Sequence, residues 1–151
     1  MQHIAIDLGG KKSQICVRSE TGEILEERSC VTRLLGRYLG KAPQSRVIVE
    51  TCTEAFAVAD EALEAGHQVR VVPATLVRSL GVGARGIKTD QRDAQVLSEV
   101  SCLIDLPSVH VPFHRSRELK ALCGMRGELI GARTKLINNV RGWLRARHLR
   151  P

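Results

Sequence analysis

The stretch HIAID at residues 3–7 and the stretch VIVE at residues 47–50 decide the fold class of this chain. Each is a short apolar run that ends at an acid, which is typical of a strand buried on both faces of a sheet. Between them, residues 13–18 alternate polar and apolar side chains, and residues 23–29 follow a Thr-Gly turn. These patterns predict an antiparallel three-strand meander at the start of the chain. The leucine spacing at 31–39 predicts a helix before the second stretch.

Further along, predicted strands and helices alternate. The sequence favours a helix at 53–65, a strand at 68–72, a short helix at 76–80, a helix at 90–103 and a long helix from 116 onward. The resulting order βββαβαβα is the pattern of an RNase H-like domain. The predicted fold class is therefore α/β, with a five-stranded mixed sheet and flanking helices, in which the first and fourth strands are parallel neighbours.

Four acids form two pairs in this scheme. Asp7 and Glu50 end the first and fourth strands, and ligands of open α/β sheets bind at those carboxyl ends. Two carboxylates placed there repel each other unless a cation lies between them, and Mg²⁺ is the hard cation that such oxygens bind. Asp90 and Asp93 share one face of a helix, although they could instead cap its N-terminus. Together, the four acids suit metal-assisted phosphoryl transfer.

The positive charge is confined to the second half of the chain. Residues 1–75 hold 9 Lys and Arg against 10 Asp and Glu, whereas residues 76–151 hold 14 against 6, so the halves carry −1 and +8. Such asymmetry favours a polyanionic partner, most often nucleic acid, and the alternative is a basic helix face that is merely solvated. Aromatic residues make up only 3% of the chain. They are too few for a base-stacking platform, so nucleic acid would be held through its phosphates.

Several protein classes are excluded by what the sequence lacks. No apolar run approaches the roughly 20 residues of a membrane helix, and the first residues have no basic segment of a signal peptide. The five cysteines form no CxxC pair and lack the spacing of a zinc site. We therefore expect a cytoplasmic protein whose thiols are reduced and mostly buried.

The motifs taken together resemble a known family. They are HIAIDLGGKKSQICV at 3–17, RVIVETC at 46–52, GHQVRVVPATLVRSL at 66–80, IKTDQRDAQVL at 87–97 and RELKALCGMRGELIGARTKLINNVRGWL at 117–144. Over residues 3–147 the chain resembles the N-terminal half of the DEDD transposases of bacterial insertion sequences, a family associated with a bridge RNA and related to the Piv-type DNA invertases.

The resemblance implies a RuvC-like catalytic domain at residues 1–112. Its metal-binding and catalytic acids would be Asp7, Glu50, Asp90 and Asp93, which would use Mg²⁺ or Mn²⁺ to cleave and exchange DNA strands. The implied partners are DNA, a guide RNA and a second copy of the chain, and the implied location is the bacterial cytoplasm, at the nucleoid when bound to DNA.

The resemblance also implies that residues 113–151 begin a coiled-coil dimerisation region. An apolar stripe of that helix would pair with another subunit, and the alternative is a single helix that folds back onto the sheet. The residues expected to bind nucleic acid are Lys11, Lys12, Lys88 and Arg92 beside the acids, and Arg126, Arg133, Lys135, Arg141 and Arg145 on the helix.

Members of the family continue into a second domain, which carries a serine that attacks the DNA strand. This sequence ends at Pro151, so we expect a shortened chain or a broken gene copy that does not recombine DNA on its own. Three other interpretations stay open. They are a stand-alone Holliday-junction resolvase, a non-catalytic module that binds RNA or DNA, and a fragment of an actin-like or sugar-kinase-like ATPase. The last is suggested by DLGGKKS at 7–13, although the chain has no second Asp-x-Gly loop.

Overall fold

The structure is a computed structural model that describes the backbone of residues 1–79 and 90–150, and the side chains of residues 1–77 and 92–150. Its strands are β1 (Gln2–Asp7), β2 (Lys12–Arg18), β3 (Ile24–Val31), β4 (Ser45–Glu50) and β5 (Gln68–Val72). Its α-helices are α1 (Leu35–Leu39), α2 (Ala55–Glu64), α3 (Ala74–Ser79), α4 (Asp90–Leu103) and α5 (His114–Arg145).

The described strands form one five-stranded mixed sheet in the order β3-β2-β1-β4-β5. The first three strands are antiparallel neighbours, whereas β4 is parallel to β1 on one side and to β5 on the other. Ile4 pairs with Val47 and Ile6 with Val49, so β1 and β4 run level with each other to their carboxyl ends. The RNase H-like fold predicted from the order of elements is confirmed.

The central strands are buried on both faces, which explains their apolar runs. Ile6 and Val49 pack on the face that α1 and α2 cover, and Ala5 and Ile48 pack on the face that α4 covers. All four side chains have a relative exposure of 0%. Alternate residues of β1 and β4 therefore point to opposite faces, and this alternation fixes which face the terminal acids share.

The predicted helix at 31–39 is wrong at its beginning. Residues up to Val31 extend β3, because Val31 pairs with Lys12 at the start of β2. A single 3₁₀ turn follows at Thr32–Leu34, and only Leu35–Leu39 is α-helical. Pairing along β2 outweighs the helical spacing of the leucines in this segment.

The expectation that most of the cysteines are buried is wrong. All five thiols are free in the structure. Cys16 alone is buried, however, while Cys52 and Cys123 are exposed and Cys30 and Cys102 are half-buried. Burial depends on where the sheet and helices meet, and cysteine spacing carries no information about that.

The chain divides into two compact units, residues 1–111 and 112–151. The first contains the sheet with α1 to α4, and the second is built on α5, whose 32 residues span about 48 Å. No side chain of α5 is buried. Among the described helices, none combines the length and apolar composition that a membrane crossing requires.

Candidate metal site and nucleic-acid interface

Asp7 and Glu50 are the last residues of the neighbouring parallel strands β1 and β4. The register places Ile6 beside Val49, so the next residues, Asp7 and Glu50, come level at the same edge of the sheet. They follow Ala5 and Ile48 by two positions and therefore lie on the face covered by α4. Both are half-buried, so their side chains stand at the boundary between the core and solvent.

The turn after Asp7 is held by a compact set of hydrogen bonds. Thr32 donates from Oγ1 to the carbonyl oxygen of Gly9, and its backbone N–H donates to the carbonyl of Lys11 over 3.1 Å. The hydroxyl groups of Ser13 and Thr32 are 2.9 Å apart, and Ser13 is fully buried. These bonds tie the turn between β1 and β2 to the end of β3, and thereby restrict the backbone next to the Asp7 carboxylate.

Helix α4 runs antiparallel to β1, with its N-terminal end toward Asp7. Its Ser101 contacts His3 near the start of β1, at the end of the sheet opposite the two carboxylates. From His3 to Asp7 the strand rises about 13 Å, and from Ser101 back to Asp93 the helix rises about 12 Å. Asp93 is therefore at about the level of Asp7 along the sheet.

The side of α4 on which Asp93 lies follows from its neighbours. Gln95 donates to Glu27 of β3, which marks the side of the helix toward β2 and β3. Leu97, on the other side of the helix, belongs to the same apolar cluster as Ile48 of β4. Asp93 precedes Leu97 by one helical turn and shares its side, so the half-buried Asp93 lies on the flank toward β4, the strand that ends at Glu50.

Asp90 is the first residue of α4, but its side chain lies outside the described residues. The same holds for the capping alternative, which concerns that side chain, and for the whole of Lys88. Within the described side chains, no three His, Cys, Asp or Glu converge closely enough to hold a metal ion. Asp7, Glu50 and Asp93 all have described side chains, so these three do not form such a group: the paired strands bring Asp7 and Glu50 to one edge of the sheet, and Asp93 on α4 does not converge with them closely enough to complete a three-ligand site.

The carboxylate oxygens of Asp7 and Glu50 are of the type that a hard divalent cation binds. Mg²⁺ is usually held by one or two carboxylates together with waters and substrate phosphates, rather than by a complete protein cage. Asp7 and Glu50 supply two such carboxylates, half-buried and open to solvent at the sheet edge. Two carboxylates are the number of protein ligands that such an ion takes when substrate phosphates and waters complete its coordination.

Comparison with known proteins assigns the family. A family model described as Transposase, DEDD_Tnp_IS110, matches residues 4–148 of this chain. The chain belongs to this DEDD transposase family. The resemblance inferred from the sequence motifs is confirmed, and the observed mixed sheet with flanking helices agrees with the RuvC-like fold expected of such a transposase domain.

Two curated relatives are similar over nearly the whole chain. One is named "Probable family 20 transposase" from Pseudomonas aeruginosa, and it is 26% identical over 144 residues, 95% of this chain and 42% of the relative. The other is named "Transposase for insertion sequence element IS1328" from Yersinia enterocolitica, and it is 26% identical over 93% of this chain and 41% of its own length. The chain thus spans about two-fifths of the length of these transposases.

The cations predicted to bind nucleic acid are exposed wherever their side chains are described. Lys11 and Lys12 lie at the turn directly after the strand that ends at Asp7, and Arg92 lies in the first turn of α4. The exposed cations of α5 are Arg126, Arg133, Lys135, Arg141 and Arg145. Over its whole length α5 carries eight Lys and Arg against two Glu, a net charge of +6. This transposase domain therefore combines a basic helix, α5, with a sheet edge that carries the carboxylates of Asp7 and Glu50.

The opposite end of the sheet has a different electrostatic character. The Asp105 carboxylate lies 3.5 Å from Arg46 and 3.4 Å from Arg70. Burial and the nearby Arg46 hold the pKa of His3 below its usual value. Asp105 already pairs with two guanidinium groups, so it is a suitable control for the carboxylates at the other end of the sheet.

Sequence reasoning missed the polar contacts that hold α4 on the sheet. Helix α4 ends at Leu103, and the next residue, Ile104, is 49% exposed although it is apolar. Ser98 and Ser101 are buried there instead, at 0% and 3% exposure. Their helical spacing was the available signal, because Ser98 is four positions from Ala94 and Ser101 is four positions from Leu97, and residues so spaced share one side of a helix.

Proposed function

We propose that this chain is the N-terminal metal-dependent catalytic domain of a DNA transposase, a site-specific recombinase that cleaves and exchanges DNA strands. The catalytic and metal-binding residues in this proposal are Asp7, Glu50, Asp90 and Asp93. The observation that carries it is the level, parallel pairing of β1 and β4, which ends in Asp7 on one strand and Glu50 on the other. Membership of the transposase family supplies the reaction class.

Each described residue has a defined task in the proposed reaction. Bound Mg²⁺ or Mn²⁺ would supply Lewis-acid stabilisation of the attacking and leaving oxygens of the phosphodiester. Asp7 and Glu50 would contribute oxygen ligands from two strands whose pairing fixes their separation. Asp93 would contribute from α4, on the side of that helix toward β4. Lys11 and Lys12, exposed beyond Asp7, would attract and orient the nucleic-acid backbone.

The proposed partners are DNA, a guide RNA and a second copy of the chain. Support for nucleic acid comes from the net charge of +6 on α5, whose exposed cations suit phosphate contacts. Support for a second copy comes from Leu122, Leu129 and Leu136, which recur every seven residues and are 60%, 72% and 66% exposed. Light scattering is expected to report a dimer, and a monomer at high protein concentration would rule out pairing through α5.

The 151-residue chain is proposed to bind a metal ion and nucleic acid without completing recombination. In this proposal a further domain of the transposase supplies the serine nucleophile, and the protein acts in the bacterial cytoplasm, at the nucleoid. Cleavage of branched DNA by this chain alone would instead indicate a stand-alone resolvase. Thermal stabilisation by ATP would indicate a nucleotide-binding fragment.

The decisive experiment is a calorimetric titration of Mn²⁺ into the chain, alone and with a DNA duplex. We expect the wild type to bind, and Asp7→Asn, Glu50→Gln and Asp93→Asn each to weaken binding by at least about tenfold, because each removes an anionic ligand. The matched control is Asp105→Asn, which makes the same chemical change at the opposite end of the sheet and is expected to leave the affinity unchanged.

Two results would contradict the proposal. One is an absence of Mn²⁺ binding by the wild type both with and without nucleic acid. The other is binding that Asp105→Asn weakens as much as Asp7→Asn does. In either case the chain would be reassigned as a module that binds nucleic acid and dimerises, with the acids serving as strand ends and helix caps.

A further inference from the structure

We propose that Ser98 and Ser101 of α4 are positioning residues for the carboxylate site, acting through Asp93. This inference rests on the proposed function, since it concerns the ion that Asp7, Glu50 and Asp93 would share. Neither serine is a nucleophile in this account, because both hydroxyl groups are buried away from substrate, with residue exposures of 0% and 3%.

Ser98 joins α4 to β2. Its Oγ accepts a hydrogen bond from Nε of Arg18 over 2.9 Å, and the hydroxyl donates to the carbonyl of Gln95 over 2.7 Å. The sulfur of Cys16, on the same strand as Arg18, lies 3.2 Å from this oxygen. Arg18 is fixed in turn, because it donates to the carbonyl of Gly22 over 2.7 Å. Ser98 is therefore held against a guanidinium group that the β2–β3 turn holds in place.

Ser101 joins α4 to β1. Its Oγ lies 2.7 Å from Nδ1 of His3, and both residues are buried. Ser98 and Ser101 are three residues apart on one side of the helix, and they contact two adjacent strands. Two polar contacts at different points fix both the rotation of α4 about its axis and its position along the strands.

Apolar packing alone would fix α4 less well. Its described buried apolar residues on the sheet side are Ala94 and Leu97, and apolar contacts are not directional. A shift of one residue along a helix is a movement of 1.5 Å with a rotation of 100°. Such a shift would carry Asp93 off the flank toward β4, and it would break the hydrogen bond between Nε of Arg18 and Ser98 and the contact between His3 and Ser101, which is costly for buried polar groups. The serines thus oppose displacements of α4 that would move Asp93 farther from the end of the sheet at which Asp7 and Glu50 lie.

The test compares serine variants in metal affinity and in thermal stability. Mn²⁺ is titrated calorimetrically at a temperature at which circular dichroism shows every variant to be folded. Ser98→Ala and Ser101→Ala are each expected to weaken Mn²⁺ binding by about tenfold, as loss of the groups that orient metal ligands typically does. Ser101→Thr keeps the hydroxyl group and is expected to retain the affinity.

The control is Ser29→Ala, at an exposed position of β3, which is expected to change neither quantity. A merely structural role would lower the melting temperature of Ser98→Ala and Ser101→Ala while leaving the affinity of the folded variants unchanged, and that result overturns the inference. If Ser98→Ala does not fold, the comparison of Ser101→Ala with Ser101→Thr decides. If the wild type itself binds no Mn²⁺ with DNA present, the proposed function fails and this inference fails with it.

Discussion

Replacing Gly9 with alanine tests the turn that follows Asp7. A Cβ atom at Gly9 would lie 2.3 Å from the carbonyl oxygen of Lys12, whereas ordinary contacts begin at 3.4 Å, so the turn must open by about 1.1 Å. The neighbouring Gly10 is the matched control, because a Cβ atom there meets nothing within 4 Å. Neither glycine has a positive φ, so the two substitutions differ in steric fit rather than in backbone strain.

The expected magnitude follows from adding the separate effects. Overpacking costs about 1–3 kcal/mol, and loss of the bond from Thr32 to the Gly9 carbonyl adds about 0.5–1.5 kcal/mol. Glycine-to-alanine changes also stabilise by about 0.4–1 kcal/mol through the unfolded chain, but this effect is shared by both variants and cancels between them. We therefore expect Gly9→Ala to be less stable than Gly10→Ala by about 1.5–4.5 kcal/mol.

Urea unfolding followed by far-ultraviolet circular dichroism measures this difference. Tryptophan fluorescence is unsuitable, because the single tryptophan, Trp143, lies in α5, which belongs to the other compact unit of the chain. Free energies of unfolding that agree within about 0.5 kcal/mol for Gly9→Ala and Gly10→Ala would refute the account of this turn. The same two variants also test the proposed metal site. Gly9→Ala is expected to weaken Mn²⁺ binding, and Gly10→Ala is expected to preserve it.

Three further predictions concern protonation, thiol access and salt. Because burial lowers the pKa of His3 below 6.5, the unfolded chain binds more protons than the folded chain just below that pH. The contribution of His3 to stability is therefore complete above about pH 6.5 and decreases as the pH falls, so His3→Gln should flatten the dependence of melting temperature on pH, and an unchanged slope would contradict this. In native protein a thiol reagent should modify the exposed Cys52 rapidly and the buried Cys16 only after unfolding, and mass spectrometry showing equal rates would contradict the burial. Replacing Arg133 or Arg141 with glutamine should reduce the slope of log affinity against log salt by about one for duplex DNA, and unchanged slopes would mean that these cations do not contact phosphate.

The sequence was sufficient to predict the sheet because its signals are local and strong. The runs at residues 4–6 and 47–49 are apolar throughout, and strands buried on both faces require this. Once the order of elements indicated an RNase H-like sheet, the adjacency of Asp7 and Glu50 followed from topology without any knowledge of side-chain contacts. The bounds of α4 likewise followed from its first acid and its apolar spacing.

Other features could not be predicted because they depend on contacts between distant segments. The segment after Val31 has helical spacing, but pairing with Lys12 draws Val31 into β3. Ser98 and Ser101 are common polar residues, and only the positions of Arg18 and His3 make them buried anchors. Sequence patterns report periodicity along one element. The contact of Ser98 with Arg18 joins residues 80 positions apart, and that of Ser101 with His3 joins residues 98 positions apart.

The proposed function requires that a divalent cation bind at the carboxyl ends of β1 and β4. Mn²⁺ broadens the nuclear magnetic resonance signals of nearby amide groups, so a titration of the isotope-labelled chain with a DNA duplex present would locate the ion directly. We expect broadening to begin at Asp7, Glu50 and Asp93, and we expect the signals near Asp105 at the opposite end of the sheet to persist. Broadening that begins around Asp105, or that spreads evenly over the acidic residues of the surface, would contradict it.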